Sequence, residues 1–532
     1  MLTAAAANQA FEKLQLLVEE YMRRTRVPGL TIAVTDLNET LATRCYGFAN
    51  LESRTPVTNQ TRFEIGSISK SFTSILILQL VEQGLLDLHM PVETYLPWFQ
   101  PKHSLGTITV HHLLTHTSGL SVGSDSAPES IFVMAAVCNL KPGWEPGTKF
   151  SYSNVGYKLL GAILEHIHGQ PLDTIIRTRI LEPLEMHNSF PIITQQNRLE
   201  IATGYSNQYD DRPAHSSHKL FPATFVEAVV ADGSLACNKE DLCKYARMIL
   251  RRGAPLISDL SFTQLIAPHA TREIFGMPET SYGYGIANTN FEGVQAIWHG
   301  GGMIGYSSIL LVMPELEFGL VIFRNSSVHS MIDFSLETLE LFCKTAMGLE
   351  IEAKPKRELL EFIGVFENDN SQLEFVQQND QLFLKLEAQL IPLEAYGGDS
   401  FCSAHENFKL FAFEFMRDSD GKMIEVCHGA NAYWNSSYNG EKSFTNPEEW
   451  LAFPGYYRSH GPWVLCFQIV IRKGSLVVIG DEFNSKLEPD GNEFVLEGSP
   501  ERMRFDTLID GVAHRANFSG SDYVRISPRG DG

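Results

Sequence analysis

Positive charge is scarce in this sequence of 532 residues: 42 Lys and Arg stand against 63 Asp and Glu, a formal net charge of −21. A surface this acidic repels a phosphate backbone, so nucleic acid is not expected as a partner. Cysteine is thin and scattered. Cys45, Cys138, Cys237, Cys243, Cys343, Cys402, Cys427 and Cys466 form no C-x-x-C pair and have no His-rich segment beside them. Neither a zinc site nor a disulfide framework is therefore expected, and they read as buried free thiols. No run approaches 18 uninterrupted apolar residues, which argues against a membrane span. The alanine-rich stretch from Met1 to Gln15 lacks a basic segment followed by an apolar one, so no signal peptide is read there and cytoplasmic residence is the expectation.

What is present is globular in character. Apolar residues make up 44% and charged residues 20%, too hydrophobic a balance for a disordered chain. At about 150 residues per domain the length predicts three to four domains. Phe11, Leu14, Leu16, Leu17 and Tyr21 predict an amphipathic helix over 9–24, ended by the Val27-Pro28-Gly29 breaker. Leu30 to Thr35 and Leu41 to Phe48 read as one β-hairpin, and Ser307 to Met313 with Phe318 to Phe323 as another, followed by a helix over 330–347. Between them, Ser69 to Gln83 has almost no polar face, which predicts a central buried helix.

After Leu349 the pattern changes to short alternating runs broken by Gly, Asn and Asp. Leu360-Glu361-Phe362-Ile363-Gly364-Val365-Phe366 recurs as Leu451-Ala452-Phe453-Pro454-Gly455-Tyr456-Tyr457, an L-x-F-x-G-x-aromatic repeat. Strands are expected at 382–386, 408–415 and 423–427 in the first copy, and at 464–471, 476–479 and 523–526 in the second. The expected organisation is a large domain over 1–350, then two small antiparallel β domains over 356–446 and 447–532.

Three segments of the large domain carry residues with chemistry. Ser67-Ile68-Ser69-Lys70 lies where a strand-like stretch enters the buried helix, and i, i+3 spacing lets the Lys70 side chain reach the Ser67 hydroxyl. A helix N-terminus there would also favour a developing oxyanion. The motif alone is weak, since S-x-x-K recurs at Ser216/Lys219 and Ser419/Lys422 in polar settings, and an isolated Ser67 reads equally as a helix cap. Tyr152-Ser153-Asn154 supplies a phenol that can serve as a base near cations, and an amide that can bind a carbonyl or hold Lys70. Trp298-His299-Gly300-Gly301-Gly302 enters a predicted strand whose glycines allow a substrate backbone to lie close.

In this order the three segments resemble the serine β-lactamase and penicillin-recognising protein superfamily, over residues 10–348. The stretch Ile108 to Leu120, with its His111-His112-Leu113-Leu114-Thr115-His116-Thr117-Ser118-Gly119 core, is similar to the class C β-lactamase-like, esterase and D-aminopeptidase branches. The resemblance implies an α+β sandwich of the β-lactamase/transpeptidase type, followed by two small antiparallel β-barrels, the first lipocalin-like. It implies Ser67 as nucleophile, Lys70 and Tyr152 sharing acid/base work, and Asn154, His299, Gly301 and Gly302 binding substrate. The N–H groups of Ser67 and Gly302 would form the oxyanion hole, with no cofactor or metal. His299 stands where β-lactamases carry Lys, and imidazole is only partly charged near neutrality, so it would hold a substrate carboxylate less securely. That departure favours esters or D-amino-acid amides over penicillins. Asp232-Gly233-Ser234-Leu235 resembles a family turn lining the pocket and reads equally as a simple turn.

The implied activity is a serine hydrolase acting on a small molecule or short peptide, with an acyltransferase, a β-lactamase and a non-catalytic binding protein as alternatives. Homo-oligomerisation is compatible with the sequence and is not read from any motif. Two features point elsewhere: Gly119-Leu120-Ser121-Val122-Gly123 fits G-x-S-x-G, and His299 to Gly302 reads as an H-G-G-G oxyanion motif. Their order is the reverse of that in α/β-hydrolases, so Ser121 is not expected to be a nucleophile. His111, His112 and His116 lack acidic or Cys partners and read as structural rather than metal ligands. Arg529-Gly530-Asp531 reads as a chance tripeptide.

Overall fold

The computed structural model describes residues 2–528 except 104, 122–137, 140, 272–279, 351–358, 462 and 481–483. The tripeptide at 529–531, the segment around the expected boundary at 350–356 and the Val122-Gly123 end of the G-x-S-x-G stretch thus lie outside the described residues in whole or part. The chain forms two compact units, Met1–Ser206 with Phe221–Ile351, and Asn207–Leu220 with Glu352–Gly532.

In the first unit, helix α1 (Ala4–Thr25) precedes strands β1 (Gly29–Thr35) and β2 (Thr40–Asn50), which pair antiparallel with Leu30 opposite Tyr46. Strands β3 (Val294–Met303), β4 (Tyr306–Met313) and β5 (Phe318–Arg324) form the other half of the sheet. Both predicted hairpins are present, and they join each other, because β1 pairs with β5, Leu30 opposite Arg324. Nine strands result, in the order 55–56, β2, β1, β5, β4, β3, 287–291, 281–282, 270–271.

Both faces of this sheet are covered, which is why its central strands read as continuous apolar runs rather than alternating ones. On β1 and β5, Leu30, Ile32, Val34, Leu320 and Ile322 pack with α1 and the helix Ile332–Met347, while Ala33, Val321 and Phe323 face the other layer. That second layer is built on helix α2 (Ser69–Glu82), whose Phe72, Ile75, Leu76, Ile77, Leu78 and Leu80 are all buried. Such a helix owes its stability to packing on every side, since each fully buried Leu, Ile or Phe contributes about 1.5–3 kcal/mol.

The second unit contains two antiparallel sheets. The first has nine strands, with Gln389–Pro392 at one end and Glu394–Gly397 at the other. Only Leu393 separates these end strands in sequence, so the sheet curls almost into a closed barrel. The second is a closed barrel of eight strands, sealed where Gly455–Arg458 pairs with Ser521–Ile526. The L-x-F-x-G-x-aromatic repeat has a structural meaning: each copy is a 3-10 turn leading into the first strand of its sheet. Phe362 from the first turn is fully buried in its sheet's core, and Phe453 from the second stacks on Phe505 at 4.4 Å.

Two expectations are corrected. The strand read at 408–415 begins only at Phe413, because Phe408 N–H closes a turn on the His405 carbonyl and its ring packs against the sheet's core instead of extending a ladder. The segment 207–220, read from sequence as part of the large domain, groups with the C-terminal unit. Asp210 pairs with Arg458 at 2.9 Å, Gln468 donates to the Asp211 carbonyl at 3.2 Å, and Ser216 N–H donates to Glu394 at 2.9 Å.

Candidate active site

Ser67 sits on a 3-10 turn, Gly66–Ile68, that runs directly into α2. Gly66 has φ +49°, and a Cβ there would lie 2.5 Å from the Gly302 carbonyl oxygen. Glycine is needed twice over, for the left-handed backbone and for contact with β3. The turn is pinned from behind, where Ser308 Oγ donates to the Ile65 carbonyl at 2.9 Å and Ile65 N–H donates to Leu235 at 3.0 Å.

Lys70 lies one turn further along, 0% exposed. Its Nζ is 2.9 Å from Ser67 Oγ, 2.7 Å from Asn154 Oδ1 and 3.0 Å from the Asp232 carbonyl oxygen. The last two are pure acceptors. A neutral amine has two N–H bonds and one lone pair, so giving both N–H groups to Asn154 and Asp232 turns the lone pair toward the Ser67 hydroxyl. The arrangement can therefore take a proton from Ser67 without moving an atom of the backbone.

Asn154 opens the helix α3 (Asn154–His168), capped by the Ser153 side chain, which accepts from Gly156 N–H at 3.3 Å. The cap holds Tyr152 just outside the helix, half-buried, with its ring centroid 4.8 Å from Lys70 Nζ and 4.3 Å from the His116 ring. Ser67, Lys70, Tyr152 and Asn154 are thus brought together from two helix starts.

The third segment lies on β3. Gly301 is buried and a Cβ there would overlap the Ile65 carbonyl oxygen, whereas a Cβ on the exposed Gly302 would meet nothing within 4 Å. Gly302 is the residue against which Gly66 packs, so its backbone lies beside the Ser67 turn.

The sequence reading places His299 against a substrate carboxylate; the structure ties its ring to the protein. His299 is 1% exposed, and burial together with the nearby Lys70 charge lowers it to about 3, so the ring is neutral. Its Nδ1 lies 2.6 Å from the Gly300 carbonyl oxygen, which only accepts, so Nδ1 carries the hydrogen and Nε2 accepts. Tyr282 Oη donates to that Nε2 at 2.9 Å. The same phenol oxygen accepts from His116 Nε2 at 3.2 Å, and His116 Nδ1 accepts from Ser153 N–H at 2.9 Å. Burial and the Lys70 charge also push His116 well below its ordinary range, and burial pushes the Tyr282 phenol up. One chain of hydrogen bonds with a single consistent set of proton positions thus links the Ser153 backbone, beside Tyr152 and Asn154, to β3.

Three members of this site are not legible as such in the sequence. Tyr282 sits in Ser281-Tyr282-Gly283, which has no motif spacing; His116 reads as one of three structural histidines; the Asp232 turn is singled out, but its contribution is a main-chain oxygen. The other two histidines have local roles, since His111 Nδ1 meets Tyr284 Oη at 3.0 Å and His112 Nδ1 accepts from Thr109 N–H at 3.2 Å. Among the described residues no group of three or more His, Cys, Asp or Glu is placed to hold a metal ion. Ser121 is 3% exposed and among the described residues its Oγ has no hydrogen-bond partner. His299 to Gly302 is strand rather than the loop an H-G-G-G motif would require.

Residues 14–339 match the family described as Beta-lactamase. The chain belongs to the beta-lactamase family. Within it, the chain is 25% identical over 330 residues to "Protein flp" of Staphylococcus aureus strain N315, covering 60% of this chain and 64% of that protein. It is 26% identical over 333 residues to "Unguisins hydrolase ungD'" of Aspergillus campestris, covering 59% and 61%. The chain therefore spans less than two thirds of the length of these curated relatives. Among solved structures, the octameric penicillin-binding protein homologue from Pyrococcus abyssi superimposes with a TM-score of 0.61 at 24% identity. That likeness covers 89% of this chain and 99% of the other, and it shows the shared fold. No described helix is long and apolar enough to cross a membrane.

Proposed function

We propose that this beta-lactamase family member is a serine hydrolase that cleaves esters or amides of small molecules or short peptides through an acyl-enzyme on Ser67. The observation that carries the reading is the Lys70 amine, fully buried, 2.9 Å from Ser67 Oγ and held by two pure acceptors. Ser67 Oγ attacks the substrate carbonyl while its proton passes to the Lys70/Tyr152 pair. The N–H groups of Ser67 and Gly302 hold the oxyanion, the leaving group departs with the proton, and water releases the acyl group in a second pass. Asn154 orients both Lys70 and substrate, and Gly301 lets β3 lie close to the nucleophile's turn.

The neutral, buried His299 supports short acyl esters or D-amino-acid amides over penicillins, since it offers no cation for a carboxylate at that place. The relative named as a hydrolase supports hydrolysis as the outcome. We place the chemistry in residues 1–350, apart from 207–220, with 356–446 and 447–532 as accessory β domains.

Exposure to a fluorophosphonate followed by mass spectrometry of the peptide holding Ser67 tests the reading. A single adduct on Ser67, absent in Ser67→Ala together with p-nitrophenyl ester and D-alanyl anilide turnover, is the expected result. An unlabelled Ser67, or full activity in Ser67→Ala, would overturn it.

A further inference from the structure

A second cavity, of about 540 Å³, lies within the first unit, with Thr61, Glu64, Thr203, Gly204, Met303 and Tyr306 among its walls. Two of these adjoin the site in sequence: Glu64 is three residues before Ser67, and Met303 follows Gly302. The Glu64 side chain is 6% exposed, lines the cavity, and has no hydrogen-bond or ion-pair partner among the described residues. A largely buried carboxyl without a hydrogen-bond or charge partner is costly. Its backbone lies opposite Ala236 on the neighbouring strand, while the side chain lines the cavity.

The groups around Glu64 are otherwise occupied. Tyr306 Oη donates to the Ala202 carbonyl at 2.6 Å, and the phenol is raised by burial. At the exposed rim, Arg198 lies over the Phe225 ring at 4.7 Å and donates to Gln195, while Glu200 faces Arg62 at 3.4 Å. The Cys237 thiol on the paired strand is buried and raised well above its ordinary range. Among the described residues no cation pairs with the interior carboxyl, and the rim carries one charge of each sign, Arg198 and Glu200. Burial alone holds Glu64 up to about 8, protonated at neutral pH.

We propose that this cavity binds a small organic cation, a primary ammonium or guanidinium on a short stem, with the Glu64 carboxylate as its counter-charge. An anion would meet no interior cation, and a neutral ligand would supply no counter-charge to the carboxylate. The hydroxyls of Thr61 and Thr203 supply the remaining polar contacts. Binding is a proton exchange: the Glu64 acid releases its proton to solvent as the cation takes its place. Because Gly66 and Gly302 touch, an occupant against Glu64 and Met303 bears on the two backbone segments that flank Ser67.

The test is calorimetric titration of the full chain with n-butylammonium, n-butylguanidinium and the neutral n-butanol. Both cations should bind and n-butanol should not, each cation releasing a proton and binding about fiftyfold more tightly at pH 8 than at pH 6. In Glu64→Gln, whose amide matches the protonated acid in shape, affinity should fall at least tenfold with no drop in melting temperature. Equal binding of n-butanol, affinity independent of pH, or undiminished binding by folded Glu64→Gln would each overturn the proposal. Should that variant fail to fold, the isostere and pH comparisons on the unmodified chain decide.

Discussion

The phenol of Tyr282 donates to Nε2 of His299 across 2.9 Å and joins two histidines whose proton positions the Gly300 carbonyl and the Ser153 N–H fix. It also explains how a histidine can occupy the third segment without presenting a charge. Tyr282→Phe leaves His299 Nε2 without its donor and removes the acceptor of His116 Nε2, all in a dry interior. We expect a loss of about 1–3 kcal/mol per orphaned group, measured by urea unfolding. Ester turnover should fall with it, through kcat more than KM, because the strand carrying Gly302 loses its support.

Lys70→Met and Lys70→Arg separate base from charge. Methionine removes the amine that donates to Asn154 Oδ1 and the Asp232 carbonyl. Arginine keeps the charge but cannot be deprotonated. Both should lose about 10²–10⁴-fold in kcat, the range of general-base assistance, measured on p-nitrophenyl esters. An arginine variant with near-normal kcat would rule out Lys70 as proton acceptor and leave Tyr152 in that place.

Gly301 and Gly302 are neighbours with opposite tolerance. A Cβ at 301 collides with the Ile65 carbonyl, just ahead of the Ser67 turn, whereas one at 302 meets open space. Gly301→Ala should abolish fluorophosphonate labelling or unfold the first unit, costing about 1–3 kcal/mol as an overpacking change does. Gly302→Ala keeps its N–H and should retain activity within a few-fold. Comparison of labelling rates and melting temperatures distinguishes the two.

Stability should drop on acidification with a definite sign. His299 is held at about 3 in the fold against 6.5 when exposed, so between those values the unfolded chain binds the extra proton. Its contribution is full above about pH 6.5 and drains as pH falls toward 3, by up to about 1.4 kcal/mol per pH unit; the buried His116 adds in the same direction. Glu64 runs the other way, since its folded acid is held up to about 8: its contribution is full below about 4.5 and is lost as pH rises through 8. Urea midpoints followed from pH 4 to 9 should show both limbs, and Glu64→Gln should flatten the alkaline one.

Much of the fold is legible in the sequence where periodicity and sterics are local. The hairpins 29–50 and 306–324 are readable from their apolar runs and polar turns, α2 from its lack of a polar face, and the two β units from a repeat whose aromatic residue must plug a sheet. Residues 408–412 are the counterexample: their apolar content looks like strand, but the Phe408 ring instead packs beside Phe413 and His428 at the sheet's core.

The same division holds at the site. Ser67 and Lys70 are coupled by helical spacing, a constraint that acts over four residues, so the pair is present in the sequence before any tertiary contact forms. Asn154 and Gly302 join them only when α3 and β3 pack against the start of α2. What the side chains do there was decided by burial: His299 became a neutral structural link rather than a partial cation, because the folded sheet excludes water from it and supplies Tyr282 and the Gly300 carbonyl instead. The Asp232 carbonyl faces Lys70, and Glu64 lines a cavity, for a like reason. A main-chain oxygen has no signature in sequence, and the dielectric around a carboxyl is a property of the packed core rather than of the residue.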